Sequence, residues 1–436
     1  MILRKVVFVI LTVLALPAWA DVTIQEVRSK AGFTAWLVED HSIPFTALEL
    51  RFRGGAVLDE PGKEGATNLM VALLEEGAGD RDARTFAEAT ESLAARFSYG
   101  LSDDFVSISA QFLTENRDQA VALLRDSLTA PRFDEMATER VRQQVLSGIK
   151  SDQKSPRDLA SQALRRLVYG DHPYAQGKDG TIDSVTALTR EDLVTAHRNA
   201  LVQNRLYVAA VGDITPEQLA VLMDDLFMGL PPSGPALSPP AELNFPGGNI
   251  VEPFETPQSV ALFAQPGIDM DDPDFFAAYV LDLILGGGSF ESRLMNEVRE
   301  KRGLTYGVYS YLVDKEGANL WMGSVASGND RIAQAVQVIR DEWEKMVDHG
   351  VTQEELDNAK TYLTGAYPLR FDGNGPIANI MVAMQTGGMP IDYIATRNDK
   401  VNAVTLEDVN RVAKRLLDPD ALTFVVVGQP KGLVTN

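Results

Sequence analysis

The chain has 436 residues, 45% hydrophobic and 23% charged, a composition normal for a soluble globular protein and a length beyond one ordinary core. A formal net charge of −21 excludes nucleic acid and an anionic membrane surface as natural partners. The absence of cysteine excludes a disulfide framework and a thiolate metal site.

Residues 1–20 have the three parts of a secretory signal peptide: Arg4 and Lys5, the apolar run Val6–Leu16, then Pro17 and Ala18-Trp19-Ala20. Cleavage is expected after Ala20, which raises the net charge to −23 because two cations and no acids are lost. The apolar run is short for a transmembrane helix, so no stable membrane insertion is expected. The rival reading is a retained N-terminal anchor. An exported, cysteine-free chain of bacterial type fits the periplasm.

From Asp21 the pattern predicts strands over Phe33–Glu39 and Phe45–Phe52, then a turn-rich stretch. Apolar spacing predicts helices over Ala66–Glu76 and over Thr85–Ala95, the second with Thr85 as cap. Alternation over Phe97–Leu113 predicts two strands turning near Leu101–Asp103. Helices follow over Glu115–Leu128 and over Asp134–Leu167, the latter interrupted near Lys154–Pro156. His172-Pro173-Tyr174 reads as a structural turn. A helix over Thr189–Asn199 and a buried strand over Leu206–Val211 close the first half. Residues 230–248 carry six prolines and three glycines with almost no apolar periodicity, and form the linker between domains 21–229 and 249–436.

The second half repeats the first. Thr189-Arg-Glu-Asp192 and Val211-Gly212 recur as Thr405-Leu-Glu-Asp408 and Val427-Gly428, each 216 residues on. Glu115–Leu128 parallels 329–343, and Glu139–Lys150 parallels Glu354–Gly365. A duplication of a whole domain accounts for this. The expected fold is α+β: two homologous domains, each a mostly antiparallel sheet with helices packed on one face.

One stretch stands apart, Gly286–Leu312. Gly286, Gly287 and Gly288 form a turn-prone loop that is either a hinge or a plain turn. Ser289 offers an N-cap, and Phe290, Leu294, Met295 and Val298 form one apolar helical face. Arg299, Lys301 and Arg302 crowd the last turn before Gly303, and a tyrosine-rich strand is predicted from Tyr306 to Leu312. Tyr309 and Tyr311 are expected to pack in the sheet; the alternative is that they line a peptide groove. Arg293 is expected to pair with local acids.

This stretch, with Ser292-Arg293-Leu294, Glu297-Val298-Arg299-Glu300-Lys301 and Gly303-Leu304-Thr305-Tyr306, resembles the C-terminal domain signature of the pitrilysin/insulinase zinc peptidases, the inverzincins. Tyr169–Tyr174, the helix starts and the duplication agree with it. The resemblance implies a divided site. One domain holds zinc through H-x-x-E-H and a Glu from a later helix, and a facing domain supplies an Arg and a Tyr that bind substrate backbone and the developing oxyanion. The resemblance also implies that two chains of this size close a chamber, each forming half of a clam-shell.

The metal half is missing. Where H-x-x-E-H should stand, the chain has Asn68, Val71 and Ala72 at the first His, Glu and second His positions. The later helix has no carboxylate in Arg140–Lys150, and His41, His172, His197 and His349 show no ligand spacing. Glu75 and Glu76 read as solvated helix-end acids. This chain is therefore expected to bind no metal or cofactor, with zinc in a homologous partner that carries H-x-x-E-H. Arg299 and Tyr306 do stand at the matching positions. The expected function is the non-catalytic subunit of a periplasmic heterodimeric peptidase that holds peptide or unfolded-protein substrate. The alternative is a non-proteolytic structural or peptide-binding homologue.

Overall fold

The computed structural model describes residues 23–288 and 291–435; the expected signal peptide, the Ser289 cap and Phe290 lie outside the described residues. The first unit runs β1 (Gln25–Arg28), β2 (Thr34–Glu39), β3 (Phe45–Arg53), α1 (Ala66–Ala72), the short pair β4 (Gly77–Ala78) and β5 (Arg81–Asp82), α2 (Ala83–Ser92), β6 (Arg96–Leu101) and β7 (Phe105–Leu113). It continues through α3 (Arg117–Thr129), α4 (Glu135–Asp152), α5 (Pro156–Tyr169), α6 (Ile182–Ala187), α7 (Arg190–Ala200), β8 (Leu206–Gly212) and α8 (Pro216–Phe227). The second unit runs β9 (Gly248–Pro253), β10 (Gln258–Pro266), α9 (Phe275–Leu285), a π-helical turn at Met295–Glu300, β11 (Val308–Lys315) and β12 (Ala318–Gly328). Then come α10 (Ile332–His349), α11 (Gln353–Ala366), α12 (Asn374–Thr386), α13 (Tyr393–Ala403), α14 (Leu406–Leu416) and β13 (Thr423–Gly428).

Local chemistry sets most boundaries. Ser155 caps α5 with Pro156 at its first position, which breaks α4 from α5 where the sequence predicts the interruption. Two boundaries differ from expectation. Asp82, not Thr85, caps α2: its carboxylate takes both the Thr85 N–H at 2.9 Å and the Thr85 hydroxyl at 2.7 Å. Helix α1 ends at Ala72, and the chain tightens to i−3 bonding up to Glu76.

The duplication is visible in topology. The sheets are ordered β1-β2-β8-β3-β7-β6 and β9-β13-β10-β12-β11, so the second repeats the first without its outermost strand. In each, one pair is parallel, β2 with β8 and β9 with β13, and the rest are antiparallel. Thr189 and Thr405 form the same capping box with Asp192 and Asp408. Gly212 and Gly428 both take positive φ, 129° and 151°, at the end of the matching strand. A Cβ at Gly212 would lie 2.2 Å from Phe45 O, and one at Gly428 2.3 Å from Ser259 Oγ. Gly212→Ala and Gly428→Ala are each expected to cost roughly 1–3 kcal/mol, the range for a strained backbone position, read as a lower urea midpoint with unchanged slope.

Each unit packs its own helices on one face of its sheet. Helices α1, α3, α7 and α8 help close the first core, and α9, α10, α11 and α14 the second. The other face is covered by exchange. Helix α5 of the first unit lays Ala160, Ala163, Leu164 and Val168 on Leu262, Ala264, Val425 and Val427 of the second sheet. Helix α12 of the second unit lays Ala378, Met381 and Val382 on Ala47, Ala209 and Val211 of the first. This is why β13 is buried at every position: a strand covered on both faces reads as a continuous apolar run. The proline-rich stretch between the units has no helix or strand before Gly248, yet it is tied down. Ala241 N donates to Gly317 O at 2.8 Å and Asn244 N to Val168 O at 2.9 Å, while Leu243 and Phe245 join the core under α5.

Candidate functional site

Helix α1 carries Asn68, Val71 and Ala72, where the resemblance puts H-x-x-E-H. Its N-terminus is fixed by Asp59, whose carboxylate accepts from Gly65 N at 2.7 Å, Thr67 N at 2.9 Å and the Thr67 hydroxyl at 2.6 Å. Burial pushes the Asp59 carboxyl up to about 6, against these hydrogen bonds. Asn68 donates its amide to Asp179 Oδ1 at 3.1 Å, Val71 is in the core, and Ala72 is a half-buried methyl. Glu76 is not solvated as the sequence suggested: its side chain is 16% exposed and is paired with Arg140 of α4, the helix from which a third ligand would come. The residues present do not fit zinc. Asn68 is spent on Asp179, Val71 and Ala72 have no donor atom, and Glu76 is neutralised by a cation. Among the described residues no group of three or more His, Asp or Glu is placed to hold a metal ion.

The histidines are dispersed. His41 pairs with Asp213 at 2.6 Å, His172 Nε2 lies 3.0 Å from Pro239 O, and buried His197 lies 2.8 Å from Leu128 O. Burial holds the His197 imidazole below its ordinary value. His172 caps a short turn at Pro173–Ala175, the structural role expected of it.

In the second unit the helix expected after Glu291 winds as a π turn. Lys301 N reaches back five residues to Asn296 O at 2.9 Å. The wider turn keeps Leu294, Met295 and Val298 buried together and leaves Arg299 at the rim, its side chain 31% exposed. Such turns recur at functional sites. Arg299 Nε stands 3.5 Å from Glu300 Oε1. Lys301 and Arg302 both fold onto Glu297, at 2.5 and 2.6 Å. Arg293 forms a two-pronged bond to Glu355, at 2.6 and 2.8 Å, and is structural as expected. The tyrosine strand begins at Val308 rather than Tyr306. Tyr306 instead stands on the preceding turn, 91% exposed, beside Thr305, whose hydroxyl bonds to Gly307 O and Ala326 O at 2.9 and 2.7 Å. The segment from Arg299, whose carbonyl accepts from Gly303 N at 2.8 Å, to Tyr306 carries a partly exposed guanidinium and a solvent-facing phenol. Both are hydrogen-bond donors suited to peptide carbonyls.

The glycine loop answers first to packing. A Cβ at Gly286 would lie 2.5 Å from Ser310 Oγ, and one at Gly287 2.5 Å from Leu283 Cα; Gly288, at φ 79°, has open space around it. Tyr309 and Tyr311 are 44% and 40% exposed, so neither is packed away. They line a groove of about 530 Å³ between β11 and α9, on the exposed edge of the second sheet. The sequence offers this groove only as the alternative to packing, because strand alternation gives the face of a side chain but not what stands opposite.

Two repeated α+β units, each a mostly antiparallel sheet with helices packed on it, define the fold class of the inverzincins. Residues 35–180 match the family described as Insulinase (Peptidase family M16), and residues 187–363 match the Peptidase M16 inactive domain. The chain is 30% identical to the peptidase M16 inactive domain from Pseudomonas fluorescens, whose crystal structure superposes with a TM-score of 0.87 over 94% of this chain and 100% of that one. It is 27% identical to the non-peptidase homolog YmxG of Helicobacter pylori, over 90% of this chain and 91% of that protein. It is 24% identical to the uncharacterized zinc protease YmxG of Bacillus subtilis, over 91% and 96%. The chain belongs to the insulinase family of peptidases, as a homologue of the inactive type.

Proposed function

We propose that this chain is the non-catalytic, substrate-binding subunit of a heterodimeric periplasmic zinc metallopeptidase. One observation carries the reading: the metal half is gone at Asn68, Val71 and Ala72, while Arg299 and Tyr306 stand at the positions of the family's substrate-binding pair. The partner is a homologous chain with intact H-x-x-E-H, and the zinc is held there. This chain's Arg299 and Tyr306 reach the partner's site and hold the backbone of a peptide or unfolded segment. The partial exposure of Arg299 and the 91% exposure of Tyr306 support such a role.

The test is reconstitution. The purified mature chain alone is expected to contain far less than one zinc and to cleave no peptide, and cleavage is expected to appear when the H-x-x-E-H homologue from the same periplasm is added. Full activity of that homologue without this chain would overturn the proposal and favour a structural or peptide-binding role. Stoichiometric zinc in the chain itself would overturn the placement of the motif.

A further inference from the structure

A cavity of about 230 Å³ lies in the second unit between α9, α11 and α13, lined by Tyr279, Asp282, Tyr362, Tyr367, Arg370 and Arg397. Arg397 is only 4% exposed. Its Nη1 donates to Leu363 O at 2.8 Å and to Asn398 Oδ1 at 3.0 Å, and its Nη2 to the Tyr279 hydroxyl at 3.4 Å. The guanidinium lies over the Tyr367 ring at 4.5 Å and the Tyr279 ring at 5.6 Å. Every one of these partners is neutral. A buried cation is ordinarily matched by an anion, because desolvation of an unmatched charge is costly.

A second observation points the same way. Tyr367 is 8% exposed and its buried hydroxyl has no hydrogen-bond partner. Such a group inside a folded protein calls for an explanation, and a ligand acceptor supplies one. Arg370 adds an exposed cation at the wall. Lys400 stands close by, its ammonium 5.3 Å from the Tyr393 ring. The wall also holds an acid, Asp282: its Oδ1 accepts from Ser310 Oγ at 2.7 Å and Trp321 Nε1 at 2.8 Å, and burial pushes its carboxyl up to about 6.

We infer that this cavity binds the carboxylate group of a peptide. The Arg397 guanidinium, whose terminal N–H groups already serve Leu363, Asn398 and Tyr279, supplies the positive charge, the Tyr367 hydroxyl donates to the carboxylate, and the tyrosine rings cover the adjoining side chain. The carboxylate comes from the C-terminus of the peptide or from an Asp or Glu within it. The inference extends the reading of the protein as a peptide-holding subunit, and it is tested on the isolated protein, so that its failure leaves the heterodimer reading untouched.

The experiment is calorimetric titration of the mature protein with three peptides: acetyl-Ala-Ala-Leu with a free C-terminus, its C-terminal amide, and acetyl-Ala-Asp-Ala amide. Saturable binding of the first or the third, with the neutral amide roughly tenfold weaker or worse, is expected, and which one binds identifies the source of the carboxylate. Arg397 variants risk unfolding, so the deciding variant is Tyr367→Phe, which removes only the unpartnered hydroxyl. It is expected to weaken binding roughly three- to tenfold with an unchanged or higher unfolding midpoint. Absence of binding by either carboxylate peptide, equal binding of the amide, equally tight binding of inorganic phosphate, or unchanged affinity in Tyr367→Phe would each overturn the inference.

Discussion

In the reconstituted complex, Arg299→Ala is expected to lower kcat/KM for peptide hydrolysis by roughly 10²–10³, the cost of removing one preorganised oxyanion donor. The stability of the protein is expected to change little. Its pair with Glu300 is a contact between sequence neighbours in partial solvent, a class worth ~0–1 kcal/mol. The π turn is held from its inner face by Leu294, Met295 and Val298, which the substitution does not touch. Tyr306→Phe, at a position 91% exposed, is expected to cost roughly tenfold in rate, and nothing measurable in the thermal midpoint. The split between parameters is informative. A donor used only as charge develops lowers kcat, whereas one that merely holds the peptide raises KM at constant kcat. Arg299→Lys should recover only part of the loss, since an ammonium cannot offer the planar pair of donors. Steady-state cleavage by the mixed subunits, unchanged in both Arg299→Ala and Tyr306→Phe, would remove these residues from the site.

How much of this was legible in the sequence depended on whether the physics was local. The boxes at Thr189 and Thr405 and the break before Pro156 involve residues within a turn of one another, and they stand in the structure as the sequence reads. The duplication was equally plain, because Gly212 and Gly428 answer the same close approach in two copies of one unit. Pairwise competition between adequate groups was not legible. Asp82 and Thr85 are both competent caps, and only the fold puts Asp82 first. The π turn was hidden because Leu294, Met295 and Val298 satisfy α and π spacing alike. Long-range choices were not legible at all. The apolar face of α5, with Ala160, Ala163 and Leu164, says that the helix must be buried, but nothing in it says that the covering sheet belongs to the other half. Glu76 was misread for the same reason, its Arg140 partner lying 64 residues away on α4.

That exchange has a polar counterpart, and breaking it should produce the largest stability loss. The turn between β6 and β7 meets its repeat counterpart, the turn between β11 and β12. Asp103 is paired with Lys315 across the units and with Arg165 of α5 at 2.8 Å, its side chain 12% exposed and that of Lys315 15%. Lys315 lies 4.3 Å over the Tyr174 ring, the Tyr174 hydroxyl bonds Asp104, and Gly317 N donates to that hydroxyl at 3.1 Å. Asp103→Ala leaves two cations buried without their anion, and the expected cost is about 3–5 kcal/mol. The loss should appear in urea unfolding, either as a lower midpoint or as separate transitions for the two units. The pH dependence follows from opposed effects. Burial pushes the Asp103 carboxyl up, but Arg165 and Lys315 outweigh it and hold the carboxyl below the ordinary range. Its contribution is therefore complete above the unfolded value, about 3.9, and is lost as pH falls through the lower folded value. Asp104 runs the other way: burial raises it despite the Tyr174 bond, so its contribution grows as pH falls from its raised folded value toward the unfolded one. Wild-type stability should then hold down to about pH 4 and fall steeply below it. Asp103→Asn should start lower and lose less on the same acid limb. A mutant that tracks the wild type in parallel below pH 4 would show that the Asp103–Lys315 contact does not hold the two units together.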